Sequence, residues 1–120
     1  MKLIIAGSRH LDVPPAFVYF CAYKWGIAED VTEVVCGEAL GVDQSGKELA
    51  LMNQSPLKTF PANWKEHGKA AGPIRNREMA EYADALLLIW DGVSPGSKNM
   101  KKTMEELGKP VYEYIVKRVV

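Results

Sequence analysis

Residues able to hold an anion recur in this sequence directly behind apolar runs. Gly7-Ser8-Arg9 follows "KLIIA", the segment Gly37-Glu38-Ala39-Leu40-Gly41-Val42-Asp43 follows "EVVC", and Asp91-Gly92-Val93-Ser94-Pro95-Gly96-Ser97 follows "LLLIW". Glycine lets backbone N–H groups come close to an anion, and a helix start adds partial positive charge. Serine hydroxyls and the Arg9 guanidinium would complete a phosphate cradle. Glu38 and Asp43 do not suit phosphate, because an acid repels an anion. They suit ribose hydroxyls, which donate hydrogen bonds to carboxylates. Each also has a plainer reading: Asp43 as favourable charge in a first helical turn, Glu38 as a solvated loop acid. Basic groups for phosphate beside acids for sugar point to a nucleotide.

The glycines of the second segment divide the work. Gly37 is expected to serve a tight turn, Gly41 a close backbone approach, and Gly46 a helix-to-sheet contact. That division is similar to the dinucleotide-binding glycines without their G-x-G-x-x-G spacing. In "ANWKEHGKAAGPIRNREM" (62–79), Gly72-Pro73 opens a helix whose first turns carry Arg75, Asn76 and Arg77. Cations there oppose the helix dipole, and a buried anion nearby would explain them. Trp64 could stack on a base or pack as a lid on the core, and His67 reads as a surface residue. Gly92-Val93-Ser94-Pro95-Gly96 has the G-x-S-x-G spacing, and Gly41 to Lys47 has the G-x-x-x-x-G-K spacing with Glu48 where a Walker A motif needs Ser or Thr; neither a hydrolase triad nor P-loop phosphoryl transfer is expected. No His, Cys or carboxylate pair has recognisable metal-ligand spacing.

The elements that must position these residues alternate along the chain. Strands are expected at 2–7, 33–37, 57–62, 84–90 and 110–116. The first, second and fourth are nearly continuous in apolar residues, as strands covered on both faces are; the third and fifth are more mixed, like edge strands. A first helix, capped by Asp12 and opened by Pro14-Pro15, closes near Gly26. A second places Val42, Gly46, Leu49, Ala50 and Asn53 on one face. A third repeats Met79, Tyr82 and Ala83 at helical spacing. A fourth, with Ser97 as its alternative cap, repeats Met100, Met104 and Leu107 and stops at Gly108-Lys109-Pro110. This order predicts an α/β fold: a three-layer, doubly wound (Rossmann-like) parallel five-stranded sheet in the order 3-2-1-4-5. Ligands in such sheets sit beyond the carboxyl ends of the strands where the order reverses, between strands 1 and 4.

At 120 residues the chain fits one domain, 1–120, with 48% apolar and 25% charged residues. Fifteen basic residues balance fifteen acidic ones, so the total charge offers no argument for a nucleic-acid or membrane partner. No apolar run approaches the roughly 18 to 20 residues of a membrane span, and "MKLIIAGSRH" turns polar too soon for a signal peptide. Cys21 and Cys36 are too few for a disulfide framework and are read as reduced and packed. A cytoplasmic setting is expected. The first helix is aromatic on more than one face, so Tyr19, Tyr23 and Trp25 either form a homodimer contact or flank the core.

Five pieces together resemble the SLOG superfamily (Rossmann-like, SMF/DprA–LOG), specifically its YspA/cpYpsA-related branch: "AGSR" (6–9), "GEALGVD" (37–43), the 62–79 segment, "ADALLLIWDG" (83–92) and "SPGS" (94–97). The resemblance runs over nearly the whole chain and implies a SLOG-like nucleotide-binding domain with its ligand at the sheet edge. In place of the second glycine of that branch's "GGA" stands Glu38. The superfamily includes the Lonely Guy phosphoribohydrolases, whose arginine ahead of the helix leading to the fourth strand is matched by Arg75. Gly96-Ser97 stands for the G-T of their P-G-G-x-G-T-x-x-E, and the position of its glutamate is Met100. Methionine can neither move a proton nor stabilise an oxocarbenium ion, which weighs against that hydrolysis.

The reading is a binding module for a nucleotide or nucleotide-derived small molecule, a sensor or carrier, with no cofactor and no metal. Its candidate ligand-binding residues are Gly7, Ser8, Arg9, Gly37, Glu38, Ala39, Gly41, Asp43, Arg75, Asn76, Asp91, Gly92, Ser94, Gly96 and Ser97; no catalytic residue is assigned. The alternatives are an N-glycosidic or phosphoribosyl hydrolase in which Glu38 or Asp43 replaces the missing acid, and a ligand-free interaction domain.

Overall fold

The computed structural model describes residues 1–117. Five parallel strands, β1 (Lys2–Gly7), β2 (Glu33–Gly37), β3 (Leu57–Phe60), β4 (Ala85–Trp90) and β5 (Val111–Ile115), form one sheet in the order β3-β2-β1-β4-β5. This is the expected architecture, with β3 and β5 at the edges. The helices are α1 (Pro15–Lys24), α2 (Val42–Met52), the short α3 (Trp64–His67), α4 (Ala71–Tyr82) and α5 (Pro95–Glu106).

Strand pleating sorts the apolar runs into two cores. Leu3 and Ile5 of β1 with Leu87 and Ile89 of β4 face α1 and α2, meeting Val18, Cys21, Val42 and Ala50. Ile4 and Ala6 with Leu86, Leu88 and Trp90 face the other way, onto Met79 and Ala80 of α4 and Met100 and Met104 of α5. Every residue of β4 is buried, which is why its sequence shows no alternation. The chain therefore winds to one side through α1 and α2 and to the other through α4 and α5. The connections part at the carboxyl ends of β1 and β4.

Several local expectations need correction. Asp12 does not cap α1: Pro14 stands at the N-cap and no side chain bonds the helix start. β3 stops at Phe60, because Pro61 cannot donate to a ladder. A short helix, α3, precedes α4, and Asn63 caps it by accepting from Glu66 N–H at 3.1 Å. α4 begins at Ala71, one residue before Gly72-Pro73. α5 has Ser94 at its N-cap position, with Ser97 buried in the first turn, so Ser97 is not the cap. Asn53 is exposed at the end of α2 instead of sharing the buried face of Val42, Gly46 and Ala50.

α1 buries Val18, Cys21 and Ala22 and leaves Tyr19, Tyr23 and Trp25 largely exposed. Phe17 meets Tyr114 of β5 edge-on at 5.5 Å, and Trp25 meets Tyr112 at the same distance. Cys21 and Cys36 are both free and buried; burial pushes their thiols up to about 11 and about 12. No helix among the described residues is long and apolar enough to cross a membrane.

Two glycines stand where no side chain would fit. A Cβ on Gly7 would stand 1.7 Å from the Ile89 carbonyl oxygen, and one on Gly46 would stand 2.6 Å from Ile5 Cγ2. Gly46 therefore lets α2 lie against β1, the contact its position suggested. Alanine in place of a mid-helix glycine ordinarily stabilises by about 1 kcal/mol. Here the clash with the Ile5 stem should reverse the sign, so Gly46→Ala is expected to lower the unfolding free energy by about 1–2 kcal/mol in urea titrations.

Candidate functional site

A cavity of about 780 Å³ opens beyond the carboxyl ends of β1, β2 and β3 and against the start of α5. That volume lies within the roughly 300–1,000 Å³ of small-molecule sites. Eleven of the fifteen candidate residues line it: Gly7, Ser8, Arg9, Glu38, Ala39, Asp43, Arg75, Asn76, Ser94, Gly96 and Ser97. Gly37, Gly41, Asp91 and Gly92 lie outside the lining and shape it from behind.

The floor joins β2, α2 and α4. A Cβ on Gly37 would stand 2.4 Å from Arg75 Nη1 and 2.8 Å from Asp43 Oδ2. Gly37 thus makes room for a guanidinium and a carboxylate to converge at the end of β2. It is not the turn residue expected, because the left-handed φ of +76° belongs to Gly41. Gly41 also carries the close approach, since a Cβ there would stand 2.4 Å from the Ser8 carbonyl oxygen and 2.6 Å from that of Arg9. Arg75 is anchored by Nη1 donating to Phe60 O at 3.3 Å and Nε donating to Asn76 Oδ1 at 3.1 Å. Asn76 in turn donates to Asn99 Oδ1 at 2.9 Å, tying α4 to α5.

Asp43 is 4% exposed in this wall. Burial pushes its carboxyl up to about 6, while the Arg75 guanidinium and the backbone N–H groups of Gly7 and Ala39 pull it back. Asp91 has the opposite environment. Its Oδ1 accepts from the backbone N–H of Val93 at 2.9 Å and of Ser94 at 2.8 Å. The Val93 bond chiefly, against some burial and with help from Ser94 and Ser8, holds the carboxyl down at about 2. Asp91 N–H donates to Ser8 Oγ at 3.1 Å, and Ser8 Oγ and Ser94 Oγ lie 2.9 Å apart. With Gly92 at φ +88°, these bonds fold the loop that delivers Ser94, Gly96 and Ser97 to the cavity. Asp91 is an architectural acid here, and the Ser8 hydroxyl is largely committed to it.

The lining also includes residues outside the fifteen candidates. Pro61, Ala62 and Trp64 follow β3, whose carboxyl end borders the same sheet edge; Leu40, Met79 and Met100 supply further apolar wall. Trp64 is 58% exposed, with its ring near Gly72. Met100 is 1% exposed in the same wall. His10 belongs to no motif beyond its place next to Arg9; its Nε2 stands 3.3 Å from Asp91 Oδ2. Asn99, one helical turn beyond Gly96, could have been found from the helix spacing. Among the described residues no group of three or more His, Cys, Asp and Glu side chains is arranged to hold a metal ion.

The Gene 61 protein of Mycobacterium phage D29 is 34% identical over 87 residues, an alignment covering 68% of this chain and 70% of that protein. The chain belongs to the same family as the Gene 61 protein. No family model matches the chain, and no solved structure matches it. The name Gene 61 protein states no activity.

A carboxyl whose folded pKa lies above its unfolded value favours the folded state most at low pH, and that contribution is lost as pH rises through the folded pKa. For Asp43 the loss falls between about pH 4 and pH 6. Asp43→Asn lacks it, so the variant should gain on the wild type as pH rises through this window, by up to about 3 kcal/mol in denaturant titrations. Arg75→Ala should move the Asp43 midpoint, followed by carbon-13 NMR of its carboxyl, further above 6.

Proposed function

We propose that this chain binds a nucleotide or a nucleotide-derived small molecule, as a sensor or carrier. The observation that carries the reading is convergence: residues from five separate chain segments, following β1, β2, β3 and β4 and starting α4, line one concave space at the reversal of strand order. Arg9 and Arg75 supply positive charge, and Gly96 and Ser97 offer a first helical turn for phosphate. Glu38 and Asp43 take sugar hydroxyls. Trp64, Leu40, Pro61 and Met79 form the apolar wall a base requires. SLOG-type membership, in the YspA/YpsA-related branch, is part of the same proposal. It is supported by its motifs "AGSR", "GEALGVD" and "SPGS", which stand at the three strand ends bordering the cavity.

One observation favours a second reading. Asp43 is a buried carboxyl in the cavity wall poised near pH 6, a suitable acid or base for cleaving an N-glycosidic bond. Against it stands Met100, which offers no chemistry where the Lonely Guy enzymes have their glutamate.

Thermal unfolding with AMP, NAD and ADP-ribose tests both. A binding ligand at a hundred times its Kd should stabilise the fold by about 2.7 kcal/mol. That gain should disappear in Arg75→Ala and in Gly96→Asp, whose Cβ meets no atom within 4 Å and whose carboxylate repels an anion. Retained stabilisation in both variants would sink the site. Chromatography of the same mixtures separates the readings: intact ligand supports the module, free base the hydrolase.

A further inference from the structure

The chemistry around Asp91 leaves one group unused by the loop it folds. Both backbone N–H bonds go to Oδ1, from Val93 and Ser94. Oδ2 accepts from the Ser94 hydroxyl at 2.9 Å and otherwise faces His10, whose Nε2 stands 3.3 Å away. His10 is 42% exposed and forms part of the cavity wall. A carboxylate beside one ring nitrogen draws the imidazole N–H to that side, so the other nitrogen of a neutral ring is left as an acceptor. Asp91 is fit for this role because its backbone donors keep it ionised.

We propose that Asp91 positions His10 with Nε2–H toward its carboxylate and Nδ1 turned to the cavity, where Nδ1 accepts a hydrogen bond from a sugar hydroxyl of the ligand. A phosphate dianion has no proton to give such an acceptor, whereas a ribose hydroxyl has. His10 is then a ligand-contacting residue that selects ribosyl over deoxyribosyl ligands, and Asp91 is its positioning residue. This rests on the nucleotide reading above and adds a preference to it.

The test compares AMP with 2′-deoxy-AMP and 3′-deoxy-AMP by calorimetry, in the wild type, His10→Ala and Asp91→Asn, with Arg75→Ala as control. Nitrogen-15 NMR of the His10 ring reads the tautomer in each protein that retains His10. The wild type should show the Nε2–H form and bind AMP about tenfold more tightly than one of the deoxy analogues, the worth of one hydrogen bond left unmade. His10→Ala should bind all three nucleotides nearly equally. In Asp91→Asn the amide oxygen can still accept from Val93 and Ser94, so the loop is kept. The amide N–H in the place of Oδ2 should turn His10 to the Nδ1–H form and abolish the preference. Should Asp91→Asn fail to fold, the His10→Ala comparison alone decides. AMP binding that depends on Arg75 while His10→Ala keeps the preference would overturn this inference and leave the site standing, as would the Nδ1–H form in the wild type. Absence of Arg75-dependent AMP binding would remove the site reading, and this inference with it.

Discussion

The Ile89 carbonyl occupies the space where a side chain on residue 7 would stand. Any side chain at this end of β1 would collide with β4, so glycine is required there, and the register agrees, with Gly7 opposite Ile89. Immediately beyond, Ser8 N–H still reaches Ile89 O at 3.3 Å, and then the two chains part to opposite faces of the sheet. The cavity depends on that separation. The crevice exists because the crossovers that leave β1 and β4 run to opposite faces of the sheet, and the loops after both strands are held together across it by Ser8, Asp91 and Ser94.

The two acids near this crevice show how one sheet edge sets opposite charge behaviour. Asp91 sits in a turn that directs its backbone donors at the carboxylate, and charge there is easily held. Asp43 lies deeper, where removal from water outweighs the guanidinium beside it and the two backbone donors. The contrast comes from depth of burial against backbone donors, not from residue type. It gives the cavity a permanently ionised acid behind its wall and a titrating one within it.

The architecture was legible because it is written in simple periodicities. Runs such as "ALLLIW" bury both faces of a central strand, and Val42, Gly46 and Ala50 keep one helical face against β1. The neighbourhood of the cavity was legible too, since strand order dictates which loops share an edge. Assignments within those loops were harder. Gly37 looked like a turn residue, yet what it provides is space for a side chain that arrives from 38 residues downstream, and no local pattern encodes such a distant contact. Asp91 looked like a ligand acid because its partners, the N–H groups two and three residues on, are a matter of loop conformation. His10 carried no motif at all; only the fold brings it beside a carboxylate 81 residues away.

The two cysteines carry a last consequence. Both thiols are buried and held far above neutral pH, so they stay in the sluggish, protonated form. The mouth of the cavity, by contrast, has an open spot at Gly96 where no atom would obstruct a new side chain. A single thiol engineered at that point would be chemically alone on the reactive surface, giving a fluorophore or spin label an address at the cavity without stripping the core of its native sulfur.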